Sequence, residues 1–296
     1  MNLSSEEGAR GEYPRSLLEK RTIVDPTEDE EDDGVTLLMR AARDGDMEAV
    51  QELLSDIHLK DCHGSTALMY AADSGNADVL EVLLSASAAI EATDEACYTP
   101  LLIATGACRH DAMKVLIAAK ANIEAKTESD WTPLLSAAMN SDAGAVEILL
   151  HAKANTEARN EDGWTSLIAA SCEGDIKIMS MLINAKADIE AKDDVGQSPL
   201  ICAAALGHVE AVNFLLAAKA SVDVRNQNNS TALLLAASAG EVEIMQALID
   251  AGADVNAIDD EGHSSFVYAN AQRYTDAVNV LIRANATIHD HKGKTQ

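Results

Sequence analysis

One interval recurs along this chain, because equivalent residues lie 33 positions apart. Trp131 and Trp164 show it most clearly, since they are separated by this interval and each is followed by a threonine. Such a fixed period predicts a stack of small repeated units rather than one globular core, which is typical of a protein that holds a ligand rather than transforms one. The same step joins a series of hydroxyl residues, preceded by one step of 30: Thr36, Thr66, Thr99, Thr132, Thr165, Ser198, Thr231 and Ser264.

Each period contains signals for two short helices separated by turns. In the period that begins at Asn160, polar residues and Gly163 have turn chemistry, and Thr165 is a suitable N-cap for a first helix. After a break at residues 173–175, residues 176–184 have the apolar spacing of a second, longer helix. Alanine pairs recur in the first helix and Leu-Leu or Leu-Ile pairs in the second, so neighbouring units can bury thin apolar layers against each other.

These features resemble the ankyrin-repeat family, whose unit has the same length and a Thr-Pro-Leu-His-x-Ala signature. Thr-Pro-Leu or Ser-Pro-Leu begins at Thr99, Thr132 and Ser198, and residues 251–257 resemble the loop at the end of a family unit. The resemblance implies an all-α fold, an ankyrin-repeat α-solenoid of eight helix-turn-helix units joined by β-hairpin-like turns. We expect three regions: an acidic N-terminal segment over residues 1–30, the solenoid over residues 31–290, and an incomplete ninth unit or tail over residues 291–296.

The chain departs from the family at the signature histidine. In the family this side chain joins neighbouring turns through hydrogen bonds, so we expect those side-chain bonds to be missing here. The first unit is also about three residues short after Asp56. An apolar residue replaces the histidine in all eight units: Met39, Met69, Leu102, Leu135, Ile168, Ile201, Leu234 and Val267.

The chain is strongly acidic, with a formal net charge of −27. The segment 1–33 alone contains 11 acidic and 4 basic side chains. Such a charge repels nucleic acids and anionic membranes and favours basic partners. No apolar run has the length of a membrane-spanning helix, and five cysteines without a Cys-x-x-Cys pair indicate a reducing compartment. We therefore expect a cytoplasmic or nuclear protein that binds neither nucleic acid nor a membrane.

The resemblance places a partner-binding surface on the concave side, formed by the turn tips and the first helices. The residue before each cap faces that side in the family, and three central units carry Tyr98, Trp131 and Trp164 there. Large exposed aromatic residues often anchor interfaces. The alternative interpretation is that the tryptophans only cover the neighbouring turn. By its position Cys172 is the thiol most expected to be exposed, with a buried or inert thiol as the default interpretation. The same surface is expected to include Met139, Asn140, Cys172 and Glu173.

Basic residues form a second periodic series, with an acid two residues before each of its last four members. One interpretation is a lattice of exposed ion pairs between units, each contributing ~0–1 kcal/mol. The other is a basic row that binds a carboxylate- or phosphate-bearing peptide. The sequence favours ion pairs, because an acid is available for every base. The bases are Lys126, Arg159, Lys192 and Arg225, with Lys60 in phase, and the acids are Glu124, Glu157, Glu190 and Asp223.

Four lysines replace the glycine that the family has in the loop after the second helix: Lys120, Lys153, Lys186 and Lys219. Gly252 keeps the usual residue. If the left-handed backbone is retained, each lysine costs ~1 kcal/mol of stability. We therefore expect Lys186→Gly to stabilise the protein.

The sequence has no motif for a nucleotide, a cofactor, a metal or a catalytic nucleophile. The first hypothesis is a non-enzymatic adaptor or scaffold that binds a protein partner on the concave face. It is expected to be monomeric, with room for weak self-association through the eighth unit. The alternative is an inhibitory or regulatory subunit of an enzyme or transcription factor, in which the acidic N-terminal segment supplies part of the block. Deletion of residues 1–33 separates them, because an adaptor keeps its affinity and an inhibitor loses potency.

Overall fold

The computed structural model describes residues 34–286, so the expectations for the acidic segment before them and the tail after them lie outside the described residues. Within this range the chain is helical, with one 3-10 helix (Leu54–Asp56) and one isolated β-bridge between Ile258 and Ser264. The sixteen α-helices are α1 (Leu37–Asp44), α2 (Met47–Glu52), α3 (Ala67–Ser74), α4 (Ala77–Ser85), α5 (Pro100–Gly106), α6 (His110–Ala118), α7 (Pro133–Met139), α8 (Ala143–His151), α9 (Ser166–Glu173), α10 (Ile176–Asn184), α11 (Pro199–Ala205), α12 (Val209–Ala217), α13 (Ala232–Ala239), α14 (Val242–Asp250), α15 (Ser265–Ala271) and α16 (Thr275–Arg283).

The described chain forms two compact units that divide between Glu161 and Asp162. Each consecutive pair of helices is one repeat, so the first unit contains repeats 1–4 and the second unit repeats 5–8. Within the first unit α1, α3, α5 and α7 pack in order, and so do α2, α4, α6 and α8. The second unit repeats this pattern with α9, α11, α13 and α15 and with α10, α12, α14 and α16. Both units confirm the predicted all-α stack of helix pairs.

The periodic hydroxyl residues begin the first helix of every repeat. In α9, for example, the Thr165 hydroxyl accepts a hydrogen bond from the Ile168 N–H at 3.4 Å. Such a cap satisfies one backbone donor that the helix leaves open and contributes about 1 kcal/mol. Three first helices, α5, α7 and α11, also begin with proline. Proline suits this position because its fixed φ is helical and the first N–H has no partner within the helix.

The second helices end in a left-handed residue, as the glycine at the end of the family loop suggests. In α10 the Lys186 N–H donates to the Ile183 carbonyl and the Ala187 N–H to the Leu182 carbonyl, both at 3.0 Å. This pair of bonds is the Schellman motif, in which the left-handed position favours glycine. Repeat 1 is the exception, because its α2 has only six residues and the 3-10 helix that follows replaces the left-handed exit.

The core consists of thin layers of small and aliphatic side chains. The alanine pairs of the first helices are buried, and so is the first leucine of the second-helix pair in repeats 2–8; Leu116, Leu149 and Leu182 have no exposed surface. In repeat 1 the equivalent Leu53 is half-buried. No helix within residues 34–286 is long and apolar enough to cross a membrane.

Candidate functional site

A polar side chain, buried in most repeats, holds the turn between one repeat and the next. In the turn before α11, Asp193 Oδ1 accepts hydrogen bonds from the Val195 N–H at 3.1 Å and the Gln197 N–H at 2.7 Å. Because one oxygen binds two backbone donors, it fixes the conformation of the whole turn. The same pair of bonds is made by four other residues: Asp61, Asp94, Asn226 and Asp259.

Neighbouring turns are joined by main-chain hydrogen bonds. In the first unit the N–H groups of Glu95, Glu128 and Glu161 donate to a carbonyl in the turn one repeat earlier, at 3.0, 3.3 and 3.3 Å. In the second unit Asp194, Gln227 and Asp260 do the same at 3.0, 3.0 and 3.2 Å. Adjacent turns are therefore connected without the family's histidine. Where methionine replaces that histidine, its sulfur binds the N-cap residue of its own helix, since Met39 Sδ accepts the Thr36 N–H at 3.4 Å.

The two tryptophans are buried. Trp131 has 6% and Trp164 has 4% of its surface exposed. This corrects the expectation of exposed aromatic anchors and agrees with the alternative that these side chains cover structure nearby. The reason lies in the position itself, because the equivalent Ser65 and Gln197 are also buried. Tyr98, at the same position in repeat 3, is half-buried and keeps some exposed surface.

The residues expected beside the tryptophans differ in exposure. Met139, Asn140 and Glu173 are half-buried. Cys172 is 2% exposed, which corrects the expectation of an exposed thiol and agrees with the default interpretation of a buried one. Its thiol lies against that of Cys202, and burial, followed by this neighbour, raises the pKa of Cys172 well above its ordinary value. The exposed thiols are Cys62, Cys97 and Cys108.

The basic series binds backbone rather than acids. Four of its five members donate an ammonium or guanidinium hydrogen to the carbonyl of the residue at the same position in the next repeat. The fifth, Arg159, is exposed and its side chain forms no such bond within residues 34–286. Only Lys126 also pairs with an acid, Asp130 of its own turn, at 3.2 Å. These bases are therefore ties between repeats, an arrangement that differs from both the ion-pair lattice and the free basic row. The bonds run from Lys60 to Thr93 (2.8 Å), Lys126 to Arg159 (3.4 Å), Lys192 to Arg225 (2.9 Å) and Arg225 to Ile258 (2.8 Å).

The acids of this series also bind backbone. The carboxylates of Glu124, Glu190 and Asp223 accept an N–H group of the loop that leaves the second helix of the next repeat. Glu91, in phase with them one repeat earlier, does the same, and the Glu157 carboxylate accepts the Thr156 hydroxyl at 3.2 Å. The sequence analysis did not predict the bonds to the loops, although each of these four acids lies a constant 31 residues before the N–H group that it accepts. The distances are 2.7 Å for Glu91 and Asn122, 2.8 Å for Glu124 and Asn155, 2.7 Å for Glu190 and Ser221, and 3.0 Å for Asp223 and Asp254.

One cluster of chemically versatile side chains lies in the first unit. His110 Nε2 is 2.8 Å from both carboxylate oxygens of Asp142, and Asp142 also caps α8 through the Ala145 N–H at 3.0 Å. Burial raises the pKa of Asp142, but the Ala145 N–H, His110 and the Cys108 thiol together lower it below the ordinary value. The carboxylate is thus a cap and a tie between repeats. Within residues 34–286 no three His, Cys, Asp or Glu side chains are grouped to hold a metal ion.

Comparison with known proteins agrees with this architecture. The family described as ankyrin repeats (3 copies) matches residues 15–94, 135–226 and 200–292, and ankyrin repeats (many copies) matches residues 106–150. Two ankyrin repeat proteins of Rickettsia felis (strain ATCC VR-1525 / URRWXCal2), RF_p14 and RF_pd14, are each 52% identical to this chain over 48 residues. That stretch is 15% of this chain and 76% and 73% of the two proteins. The chain belongs to the ankyrin-repeat family.

Proposed function

We propose that this protein is a non-enzymatic adaptor or scaffold that binds a basic protein partner. Ankyrin repeats generally mediate protein–protein interactions, and the family is typically non-enzymatic. The acidic charge of the chain indicates a basic partner, since a net charge of −27 attracts basic surfaces and repels polyanions.

The observation that carries this proposal is the acidic tip row. It comprises the acidic residues whose N–H groups join adjacent turns: Glu95, Glu128 and Glu161 in the first unit, and Asp194 and Asp260 in the second. All five side chains are exposed. Because the hydrogen bonds between turns fix their backbone, a partner that binds these carboxylates orders little of the protein, which reduces the entropic cost of association.

Half-buried residues at the ends of the first helices extend the proposed surface beyond the charges. Tyr98, Met139 and Asn140 in the first unit, and Glu173 in the second, remain candidates for contacts on the concave face. Trp131 and Trp164 support the surface from beneath, because so little of either side chain is exposed.

The test compares capture of partners by wild type and by the triple variant Glu95→Gln, Glu128→Gln, Glu161→Gln. A matched control removes three exposed acids from second helices instead, through Glu52→Gln, Glu81→Gln and Glu147→Gln. Captured proteins are identified and quantified by mass spectrometry. The tip variant should lose proteins that the control retains. Equal capture by wild type and both variants would contradict a role for the acidic tip row.

A further inference from the structure

Four lysines occupy a backbone conformation that disfavours them. Lys120, Lys153, Lys186 and Lys219 have φ angles of 73°, 71°, 75° and 73°. A residue with a Cβ costs about 1 kcal/mol at such a position, and Gly252 shows that the loop accepts glycine. Strain of this kind, present at the same position in successive repeats, points to a role outside folding.

The ammonium groups of these lysines have no hydrogen-bond or ion-pair partner within residues 34–286, and all four side chains are exposed. The basic series at the turns differs, because most of its side chains donate to carbonyls of the next repeat. Acids of the preceding repeat that bind these loops accept backbone N–H groups. Glu124 accepts the N–H of Asn155, two residues after Lys153, and Glu190 that of Ser221, two residues after Lys219.

We propose that these lysines bind an acidic segment of a protein partner, one pair on each unit. The first pair is Lys120 and Lys153, and the second is Lys186 and Lys219. Their ammonium groups donate to the carboxylates of the segment. The surface is separate from the acidic tip row and does not depend on it.

The fold indicates the spacing of acids that fits each pair. Packed helices of adjacent repeats lie ~8–10 Å apart, and three residues of an extended peptide span ~10 Å. An acid at every third residue therefore matches one lysine per repeat. A short segment is favoured over nucleic acid or a membrane, because a protein with a charge of −27 repels a large polyanion far more strongly than a peptide with a few acids.

The probe is a fluorescein-labelled peptide of four Glu-Gly-Ser repeats, measured by fluorescence anisotropy in about 50 mM NaCl. A second peptide of the same composition carries its glutamates in one block. The four-site variant changes Lys120, Lys153, Lys186 and Lys219 to glycine. Since glycine relieves the strain, this variant should unfold at a higher temperature than wild type while its affinity for the spaced peptide falls about tenfold. A structural role for the lysines would not lower affinity and raise stability together.

The control removes four exposed charges elsewhere, through Arg40→Gln, Lys114→Gln, Lys177→Gln and Arg283→Gln. It has the same net charge as the four-site variant and should bind the spaced peptide as wild type does. The proposal is overturned if the four-site variant binds like wild type, if the control loses as much affinity, or if the blocked peptide binds equally well. It is also overturned if phosphatidylserine vesicles or duplex DNA bind these lysines more tightly than the spaced peptide.

Discussion

Asp193 places a charge in a turn where two other repeats use a neutral amide. Its Oδ1 accepts hydrogen bonds from two N–H groups of its turn, and Asn226 accepts the two equivalent N–H groups in the next repeat. Asn160 occupies the same position one repeat earlier. Burial is the largest influence on Asp193. It raises the pKa above the ordinary value, with help from Asp194 and Asp162, although the two N–H bonds oppose it.

Asp193→Asn should therefore stabilise the protein at neutral pH, by about 0.5–2 kcal/mol. Asparagine keeps the oxygen that binds the two N–H groups and removes the unfavourable charge. A raised pKa means that the folded state binds the proton more tightly, so ionisation costs stability as pH rises through that pKa. The gain should be complete above the raised pKa and disappear below the ordinary range of an aspartate. Chemical denaturation at several pH values measures it.

Asp194→Asn is the matched control, since it removes the neighbouring charge from an exposed side chain. It should change the free energy of unfolding by less than Asp193→Asn. A gain of equal size, or one that persists in acid, would show that the general charge of the turn matters rather than burial of Asp193.

At the scale of the element, the ends of the helices carry the clearest departures from ideal geometry. Lys186→Gly should raise the free energy of unfolding by about 1 kcal/mol, because Lys186 is left-handed with φ of 75°. Lys177→Gly is the control, since Lys177 is exposed in the first turn of α10, where glycine costs up to about 1 kcal/mol as a poor helix former. Thermal unfolding should therefore shift in opposite directions for the same substitution. A shift in the same direction would mean that backbone conformation does not govern either site.

Helix α9 begins with a serine where α5, α7 and α11 begin with proline. Ser166 is fully buried and its hydroxyl has no hydrogen-bond partner in the described structure. The preceding Thr165 has φ of −97° and ψ of 164°, which is compatible with a following proline.

Ser166→Pro should therefore stabilise the protein by about 0.4–1 kcal/mol through the unfolded state, in addition to removing the buried hydroxyl. Ser166→Ala removes only the hydroxyl, so the difference between the two variants in chemical denaturation isolates the effect of proline. Destabilisation by proline, with alanine neutral, would show that α9 cannot accept the ring.

The elements were predictable from sequence because their signals are local. The hydroxyl caps, the two apolar runs and the loop glycine replaced by Lys186 each depend on a few consecutive residues. What the sequence did not reveal depends on neighbours one repeat away. Lys192 lies among acids in the sequence, yet it donates to a carbonyl of the next repeat. Trp164 follows a turn, yet it is buried. A sequence period shows which positions are equivalent in successive repeats. It does not show which of these side chains the neighbouring repeat buries or binds.

At the scale of the whole molecule, like charge dominates the electrostatics. Residues 34–286 contain 37 acidic and 16 basic side chains. Ion pairs between Lys or Arg and acids are few in this range: Arg43 with Asp44, Lys114 with Asp111, and Lys126 with Asp130. Several of the remaining bases bind neutral carbonyls instead. Salt therefore weakens repulsion between acids more than it weakens attraction.

The melting temperature should accordingly rise by several degrees between about 20 mM and about 0.5 M NaCl, because the screening length becomes shorter than the distance between most exposed charges. Differential scanning calorimetry measures the shift. The variant Glu52→Gln, Glu81→Gln, Glu147→Gln, which carries less negative charge, should show a smaller rise. A melting temperature that falls with salt would mean that attraction between opposite charges outweighs repulsion among the acids.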